Sequence, residues 1–290
     1  MKNLKLALAQ HAPRLGRLEE NLQEHLELVG RARERGADLI LFPELSLTGY
    51  HLLDQVPEVA IGPEGLEPIR EASETIDICV GFVEQSSEYR FYNAAAYFSR
   101  GRCLHIHRKL YLPTYGMFQE GRDFAAGERL RAFDTPWGRC GILICEDLWH
   151  PANAWLLAHQ SIDLVLAPAN SPTRGARPER GITSTHVWRE LLQISAQFQT
   201  SFFAYCNRVG CEDGLVFGGG SIGVDPFGRV IGALPTLEPG LAVLEIQADV
   251  LRRARTAYPL LRDERLDLVS RELERVRAER YELPDPEGEA

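Results

Sequence analysis

The 290-residue sequence has no apolar run of the roughly eighteen or more residues that a membrane-spanning helix needs. Residues 1–5 lead into only a short apolar stretch, so a secretory signal is not expected either. Basic residues are also in deficit, with 32 Lys and Arg against 41 Asp and Glu and a net charge of −9. Such a chain lacks the basic face that nucleic acids and anionic membranes require. We therefore expect a cytoplasmic protein with small-molecule partners.

Lysine is almost missing from the sequence. Only Lys2, Lys5 and Lys109 occur, and the other 29 basic residues are arginines. A chain that uses arginine nearly everywhere keeps an internal lysine where a compact, deprotonatable amine is needed, because guanidinium cannot supply one. Lys109 is therefore a candidate functional residue, with chance composition as the simpler alternative.

The six cysteines include no C-x-x-C pair and no Cys/His knuckle. This pattern argues against a disulfide framework and against structural zinc. A Walker-type phosphate loop is absent as well. We expect reduced thiols, and neither a metal nor a cofactor.

The elements that are present predict one α/β domain over residues 1–290, with a charged helical tail at 249–290. Hydrophobic residues at 44% and charged residues at 25% are typical of a globular protein. Strands and helices alternate in both halves and hairpin-like pairs intervene, which favours two mixed sheets in a layered fold. The sequence predicts strands at 4–10, 37–42, 76–83, 92–98, 103–107, 130–133, 138–144, 164–167, 202–207, 219–225, 229–233 and 241–246.

Helices are predicted between these strands wherever apolar residues recur every three or four positions. A long one lies at about 182–197, with Val187, Leu191, Ile194 and Phe198 on one face. Residues 110–124 show no clear period and are predicted to form a loop.

Three reactive side chains each follow a predicted strand: Glu44, Lys109 and Cys145. If the strands are neighbours in one sheet, these groups meet at one edge, where α/β folds place their chemistry. Together they can carry out acyl transfer, because a carboxylate can activate the thiol while an amine stabilises the oxyanion. Taken singly, each residue has a simpler interpretation: a surface acid, a solvated cation and a buried thiol that packs as a small hydrophobe.

These segments closely resemble the signature motifs of the nitrilase superfamily of carbon-nitrogen hydrolases. The resemblance covers nearly the whole chain and is carried by FPELSLTGY at 42–50, HRKLYLP at 107–113, GILICED at 141–147, NRVG at 207–210 and GSIGVDPFG at 220–228. It implies an αββα sandwich of two mixed sheets, a Glu-Lys-Cys triad on Glu44, Lys109 and Cys145, and no metal. It also implies a homodimer or a larger homo-oligomer.

Within the superfamily the sequence looks most like the glutaminase domain of glutamine-dependent NAD synthetases. The similar segments are KLYLPTYGMF at 109–118, CEDLW at 145–149 and NSP at 170–172. This likeness implies that Tyr115, Ser171 and Arg177 hold the α-carboxylate of glutamine and that Glu146 pairs with its α-ammonium. Arginine suits the first role because its planar fork binds carboxylates with two hydrogen bonds. Tyr50, which closes the first motif, would line the pocket or simply pack there.

Glu120 is a further candidate, since many superfamily members have a second glutamate near the thiol. It would position Lys109 or a water molecule, or else face solvent. Asp147, beside Glu146, has no expected role beyond support of the turn.

The sequence departs from those synthetases because it has no Ser-Gly-Gly-x-Asp-Ser loop of the ATP-pyrophosphatase domain. Ammonia would then go to solution or to a separate synthetase subunit. Two alternatives to a glutaminase stay open: an amidase for another ω-amide or an N-carbamoyl compound, and a regulatory subunit with weak activity alone.

Overall fold

The computed structural model describes residues 1–177 and 181–281. The strands within these ranges are β1 Leu4–Gln10, β2 Leu39–Leu41, β3 Asp77–Gln85, β4 Phe91–Ser99, β5 Arg102–Arg108, β6 Phe133–Asp134, β7 Arg139–Ile142, β8 Leu164–Ala169, β9 Ala176–Arg177, β10 Gly181–Ile182, β11 Phe202–Asn207, β12 Val209–Glu212, β13 Leu215–Gly218, β14 Ile222–Val224, β15 Val230–Ala233 and β16 Gly240–Ile246.

The helices connect these strands and also form the end of the described chain. They are α1 Leu18–Glu34, α2 Val56–Val59, α3 Glu67–Ala72, α4 Glu120–Asp123, α5 Pro151–His159, α6 Thr183–Gln199, α7 Ala248–Ala257, α8 Leu260–Asp263 and α9 Leu266–Tyr281. In the described part of the chain, none of them is both long and apolar enough to cross a bilayer.

Two six-stranded mixed sheets lie at the centre of the fold. The first has the order β16-β1-β2-β3-β4-β5 and the second the order β15-β14-β11-β8-β7-β6. Strands β1, β2 and β3 are parallel, and so are β7, β8 and β11. Because β4 is antiparallel to both of its neighbours, β5 runs in the direction of β3. The carboxyl ends of the parallel strands in each sheet therefore share one edge, as expected for a site-bearing edge.

The alternation of side chains along β1 shows how the layers form. Leu4, Leu6 and Leu8 pack between the sheets, in a cluster that also contains residues of β7, β8 and β11. Ala7 and Ala9 face the other side and pack with residues of α1 and α3. A third cluster joins the second sheet to α5 and α6. The result is the expected four-layer αββα arrangement, since successive strand residues point to opposite faces.

Several element boundaries differ from the predictions. The strand predicted at 138–144 is β7, which ends at Ile142, and Cys145 begins a separate 3₁₀ turn, Cys145–Trp149. The predicted loop at 110–124 contains the short helix α4. The predicted helical tail consists of α7, α8 and α9, and residues 282–290 of that prediction lie outside the described residues.

The apolar residues noted on one face of the helix at 182–197 are not the ones that it buries. Helix α6 buries Trp188, Leu192, Ala196 and Gln199 instead. Of the predicted set, Ile194 is 52% exposed and Phe198 is 62% exposed. Both stripes recur at three- and four-residue spacing, so periodicity alone cannot choose between them.

Candidate active site

Glu44 lies just past β2 with its carboxylate almost fully buried. Oε1 accepts a hydrogen bond from Asn93 Nδ2 at 2.7 Å, and Oε2 accepts one from the Asn170 N–H at 2.7 Å. The backbone around Glu44 lies tight against Gly81 of β3, where an added Cβ would be 2.5 Å from the Pro43 oxygen. Only glycine permits this approach, so β3 helps to fix the carboxylate in place.

Lys109 follows β5 and is 1% exposed. Its Nζ donates to Glu44 Oε1 at 2.6 Å and to Glu120 Oε1 at 2.7 Å. Burial alone would lower the pKa of Lys109, but the charges of Glu120 and Glu44 outweigh it and raise this pKa well above its usual value. The amine therefore stays charged, with a third N–H for which no acceptor exists among the described residues.

Glu120 begins helix α4 and is 5% exposed, so the alternative in which it faces solvent is wrong. Its Oε1 accepts hydrogen bonds from Lys109 and from the Tyr50 hydroxyl, the latter at 2.6 Å, while Oε2 is buried without a partner. Burial raises the pKa of Glu120 to about 7; the positive charge of Lys109 opposes this rise, and the negative charge of Glu44 adds to it. Glu120 therefore exchanges a proton near neutral pH.

Cys145 is the first residue of its 3₁₀ turn and has φ of +46°, a left-handed conformation that is uncommon outside glycine. The thiol is half-buried and lines a cavity. Its pKa is raised well above the usual value, first by burial and then by the charge of Glu44, although Lys109 opposes that rise. The resting group is therefore a thiol, and a base must remove its proton before it can attack.

The cavity in front of Cys145 has a volume of about 470 Å³, within the usual range for small-molecule sites. Its lining includes four of the sequence-predicted residues: Cys145, Glu146, Tyr115 and Ser171. The Tyr115 hydroxyl donates to Glu146 Oε2 at 2.9 Å.

The far side of the cavity is formed by the loop after β8 and the start of α6. Ser171 Oγ accepts a hydrogen bond from Trp188 Nε1 at 2.7 Å. Arg174 also lines the cavity, with its guanidinium carbon 5.1 Å from the Phe118 ring centroid. Arg177 belongs to β9, but its side chain lies outside the described residues. The cavity thus has the acid Glu146 and the cation Arg174 in its wall.

Tyr50 does not line this cavity and instead supports Glu120 from behind. Its backbone N–H donates to Glu212 Oε1 at 2.9 Å, and Glu212 Oε2 forms a buried ion pair with Arg208 at 2.5 Å. The pair therefore fixes the chain at Tyr50, and the Tyr50 hydroxyl in turn fixes Glu120.

Sequence reasoning gave no role at the site to Asn93, Asn170 or Arg174, and expected of Asp147 only support of the turn. Asn93 and Asn170 hold Glu44, Arg174 lines the cavity, and Asp147 is fully buried behind the Cys145 turn. The charge of Arg174 and its place beside the predicted loop residues were available signals. Asn93 offered no such signal, because it lies in the largely apolar sequence of β4, which is typical of a buried strand.

The arrangement places the Glu44 carboxylate and the Lys109 ammonium group in direct contact, and the charges of both act on the Cys145 thiol. Glu44 Oε2 accepts one hydrogen bond, from the Asn170 N–H, and retains a lone pair for a proton, while Lys109 retains one N–H for an oxyanion. Among residues 1–177 and 181–281, no group of three or more His, Cys, Asp or Glu side chains is arranged to hold a metal ion. This chemistry suits acyl transfer through the sulfur atom.

Comparison with known proteins agrees with this geometry. Residues 5–256 match the carbon-nitrogen hydrolase family. The chain belongs to that family. Among the curated relatives of this carbon-nitrogen hydrolase, a glutamine-dependent NAD(+) synthetase of Thermotoga maritima is 33% identical over 256 residues, which are 86% of this chain and 43% of the relative. An (R)-stereoselective amidase of a Pseudomonas species is 33% identical over 93% of this chain and 95% of its own length.

The carbon-nitrogen hydrolase spans less than half the length of the NAD synthetases that it matches. Among solved structures, an amidase of Nesterenkonia sp. AN1 superimposes with a TM-score of 0.77 at 27% identity, covering 92% of this chain and 96% of that one. That amidase structure contains the acetamide moiety of fluoroacetamide covalently attached to its active-site cysteine.

Proposed function

We propose that this protein hydrolyses L-glutamine to glutamate and ammonia through a thioester on Cys145. The proposal is supported by the buried contact between Lys109 and Glu44, whose charges act on the Cys145 thiol, and by the cavity in front of that thiol, which has Glu146 and Arg174 in its wall. A zwitterionic amino acid needs such a pair of charges to be recognised. The similarity to glutamine-dependent NAD synthetases supports the choice of glutamine and of an ammonia-using synthetase as the partner that takes up the ammonia.

The reaction begins when the Cys145 sulfur attacks the carboxamide carbon and its proton moves to Glu44 Oε2. The free N–H of Lys109 stabilises the oxyanion, together with backbone N–H groups of the turn that Cys145 begins. Glu44 then returns the proton to the nitrogen, the C–N bond breaks, and ammonia leaves a thioester. A water molecule then gives a proton to Glu44 and attacks the thioester carbonyl carbon. The C–S bond breaks, glutamate leaves, and Glu44 returns the proton to the Cys145 sulfur, which restores the thiol.

Ammonia release from a panel of amides tests the substrate. We expect L-glutamine to be hydrolysed faster than L-asparagine, propionamide or N-carbamoyl amino acids. Adding an ammonia-dependent NAD synthetase, with glutamine as the nitrogen source, tests transfer of ammonia to such a partner. Rapid hydrolysis of carbamoyl amino acids without ammonia from glutamine would overturn the glutamine assignment.

An amidase with another amide substrate is the second candidate. It is favoured by the similarity to the (R)-stereoselective amidase, which is 33% identical over 93% of this chain. The two functions share the same chemistry at Cys145 and differ only in what the cavity wall recognises.

Recognition of the two charges of glutamine can be tested at Glu146 and Arg174. Replacing either by glutamine should raise KM for L-glutamine about 10- to 100-fold, because a hydrogen bond to a charged group is worth roughly 1.5–3 kcal/mol. Hydrolysis of propionamide, which has neither charge, should change little. Steady-state kinetics on both substrates measure the difference, with the exposed Arg129→Gln as control. Equal losses on both substrates would contradict a role in reading charge.

The pH dependence of activity should report Glu120. Its pKa of about 7 lies above the usual value, so the carboxylate is present above pH 7 and is lost as the pH falls. Protonated Glu120 leaves Lys109 to pair more tightly with Glu44, which weakens Glu44 as a base. We expect kcat/KM to fall below about pH 7 in the wild type.

The Glu120→Gln variant carries a neutral group at every pH. At pH 8 its kcat/KM should be about 10- to 100-fold lower than that of the wild type, which is a part of the 10²–10⁴ that general-base catalysis supplies. The fall of kcat/KM below about pH 7 should be absent from this variant. The exposed Glu128→Gln should keep the wild-type profile. If the pH dependence of kcat/KM in Glu120→Gln matched that of the wild type, a group other than Glu120 would cause the fall below pH 7.

A further inference from the structure

Asp147 is the most completely hydrogen-bonded acid near the reactive groups. Its carboxylate is fully buried and accepts four hydrogen bonds. Oδ1 accepts from the backbone N–H groups of Leu110 at 2.9 Å and Tyr111 at 3.0 Å. Oδ2 accepts from the Ile144 N–H at 3.0 Å and from His107 Nε2 at 2.9 Å. Each oxygen thus has two donors.

The four donors flank the two reactive residues in the sequence. His107 and Leu110 stand on either side of Lys109, and Ile144 directly precedes Cys145. The lysine segment follows β5 at the edge of the first sheet, whereas the cysteine segment follows β7 in the second. One carboxylate therefore ties together segments that come from different sheets.

The turn that Asp147 closes is also a strained one. Cys145 has φ of +46°, which a non-glycine residue adopts only when its surroundings hold it there. Asp147 contributes by accepting the Ile144 N–H with its side chain, while its own N–H donates to the Ile144 oxygen at 3.0 Å. Its carbonyl oxygen accepts from Asn153 Nδ2 at 2.8 Å, which anchors the turn to α5.

We propose that Asp147 is a positioning residue that sets the placement of Cys145 relative to Lys109. Its carboxylate holds the backbone on both sides of the lysine and immediately before the cysteine. The sulfur and the ammonium group must meet the same substrate carbonyl, so a small shift of either segment separates nucleophile from oxyanion donor. This inference rests on the amide hydrolysis proposed above.

The Asp147→Asn variant tests the proposal because it keeps the shape and removes the acceptor capacity of one oxygen. The amide NH₂ would face two donors, so one of the two tied segments must move. We expect kcat for amide hydrolysis to fall about 100-fold, the loss typical of a misplacement of about 1 Å, with KM within about twofold of wild type. Alkylation of Cys145 by iodoacetamide, followed by peptide mass, should change in rate and in pH dependence.

Asp163→Asn is the matched control. Asp163 is also a buried aspartate, and it accepts the Arg139 N–H at 3.1 Å and pairs with Arg255 at 3.3 Å. It directly precedes β8 and so lies at the amino-terminal end of that strand, whereas Cys145 lies beyond the carboxyl end of the parallel strand β7. We expect this variant to lower the melting temperature without changing kcat or the Cys145 alkylation profile of the folded protein. The same kinetic change in both variants would overturn the proposal, because the effect would then be one of general stability.

A second variant covers the case in which Asp147→Asn does not fold. His107→Leu removes one donor to Oδ2 and leaves the three backbone donors in place. We expect about a fivefold loss in kcat with unchanged KM, and an unchanged kcat would contradict the proposal. Failure of the proposed amide hydrolysis can be told apart from failure of the positioning role. If the wild type cleaves no amide, the proposed function is wrong, but the rate of Cys145 alkylation as a function of pH still reports whether Asp147 positions the thiol.

Discussion

Replacing Cys145 by alanine is expected to reduce ammonia release by at least about 10⁴-fold. The covalent path is lost with the sulfur atom, and only binding and oxyanion stabilisation remain. Glu44 cannot compensate, because its position among Asn93, Asn170 and Lys109 suits the removal of a thiol proton. The measurement is the rate of ammonia formation from L-glutamine and, separately, from propionamide.

The acyl-enzyme adduct provides a second, independent test of the thioester mechanism. Intact mass during turnover should show the wild type with an added acyl group, which peptide mass should locate on Cys145. Cys103→Ala, which removes an exposed thiol, should keep both the rate and the adduct. Near-normal turnover by Cys145→Ala, or an adduct on another residue, would disprove the thioester mechanism.

The placement of the reactive residues could be predicted because strand direction decides it. Glu44, Lys109 and Cys145 each follow a strand, and the carboxyl ends of parallel strands lie at one edge of a sheet. The prediction that the three groups meet rests on the condition that their strands are neighbours in one sheet, but β2 and β5 belong to the first sheet and β7 to the second. The site is therefore built where the edges of two packed sheets meet, which periodicity along one chain cannot reveal.

The partners of these residues could not be predicted for a related reason. Asp147 is three residues from Ile144 but 36 and 37 residues from Tyr111 and Leu110. Its two oxygens bind donors from both sides of Lys109, so its role exists only after the sheets have packed. Glu120 is similar, because its burial depends on contacts with Tyr50 and Lys109, which are distant in the sequence.

The second large effect is expected for Lys109→Arg, which keeps the positive charge. Lys109 is 1% exposed, and its Nζ fits between Glu44 Oε1 and Glu120 Oε1 at 2.6 and 2.7 Å. A planar guanidinium is larger, has five donors to satisfy and cannot present one N–H as an ammonium group does. We expect at least about a 10³-fold loss of activity, because the oxyanion donor is displaced and the base Glu44 moves with it.

Stability should change in the same variant, since forcing extra volume into a packed interior costs about 1–3 kcal/mol. Thermal unfolding separates this cost from the catalytic loss, and kinetics should use only folded protein. Lys2→Arg and Lys5→Arg are exposed controls and should retain wild-type activity. If Lys109→Arg kept more than a tenth of the activity, the near absence of lysine would reflect composition alone. Loss at Lys109 but not at the two exposed positions would show that this chain retains an internal lysine because the site requires its compact amine.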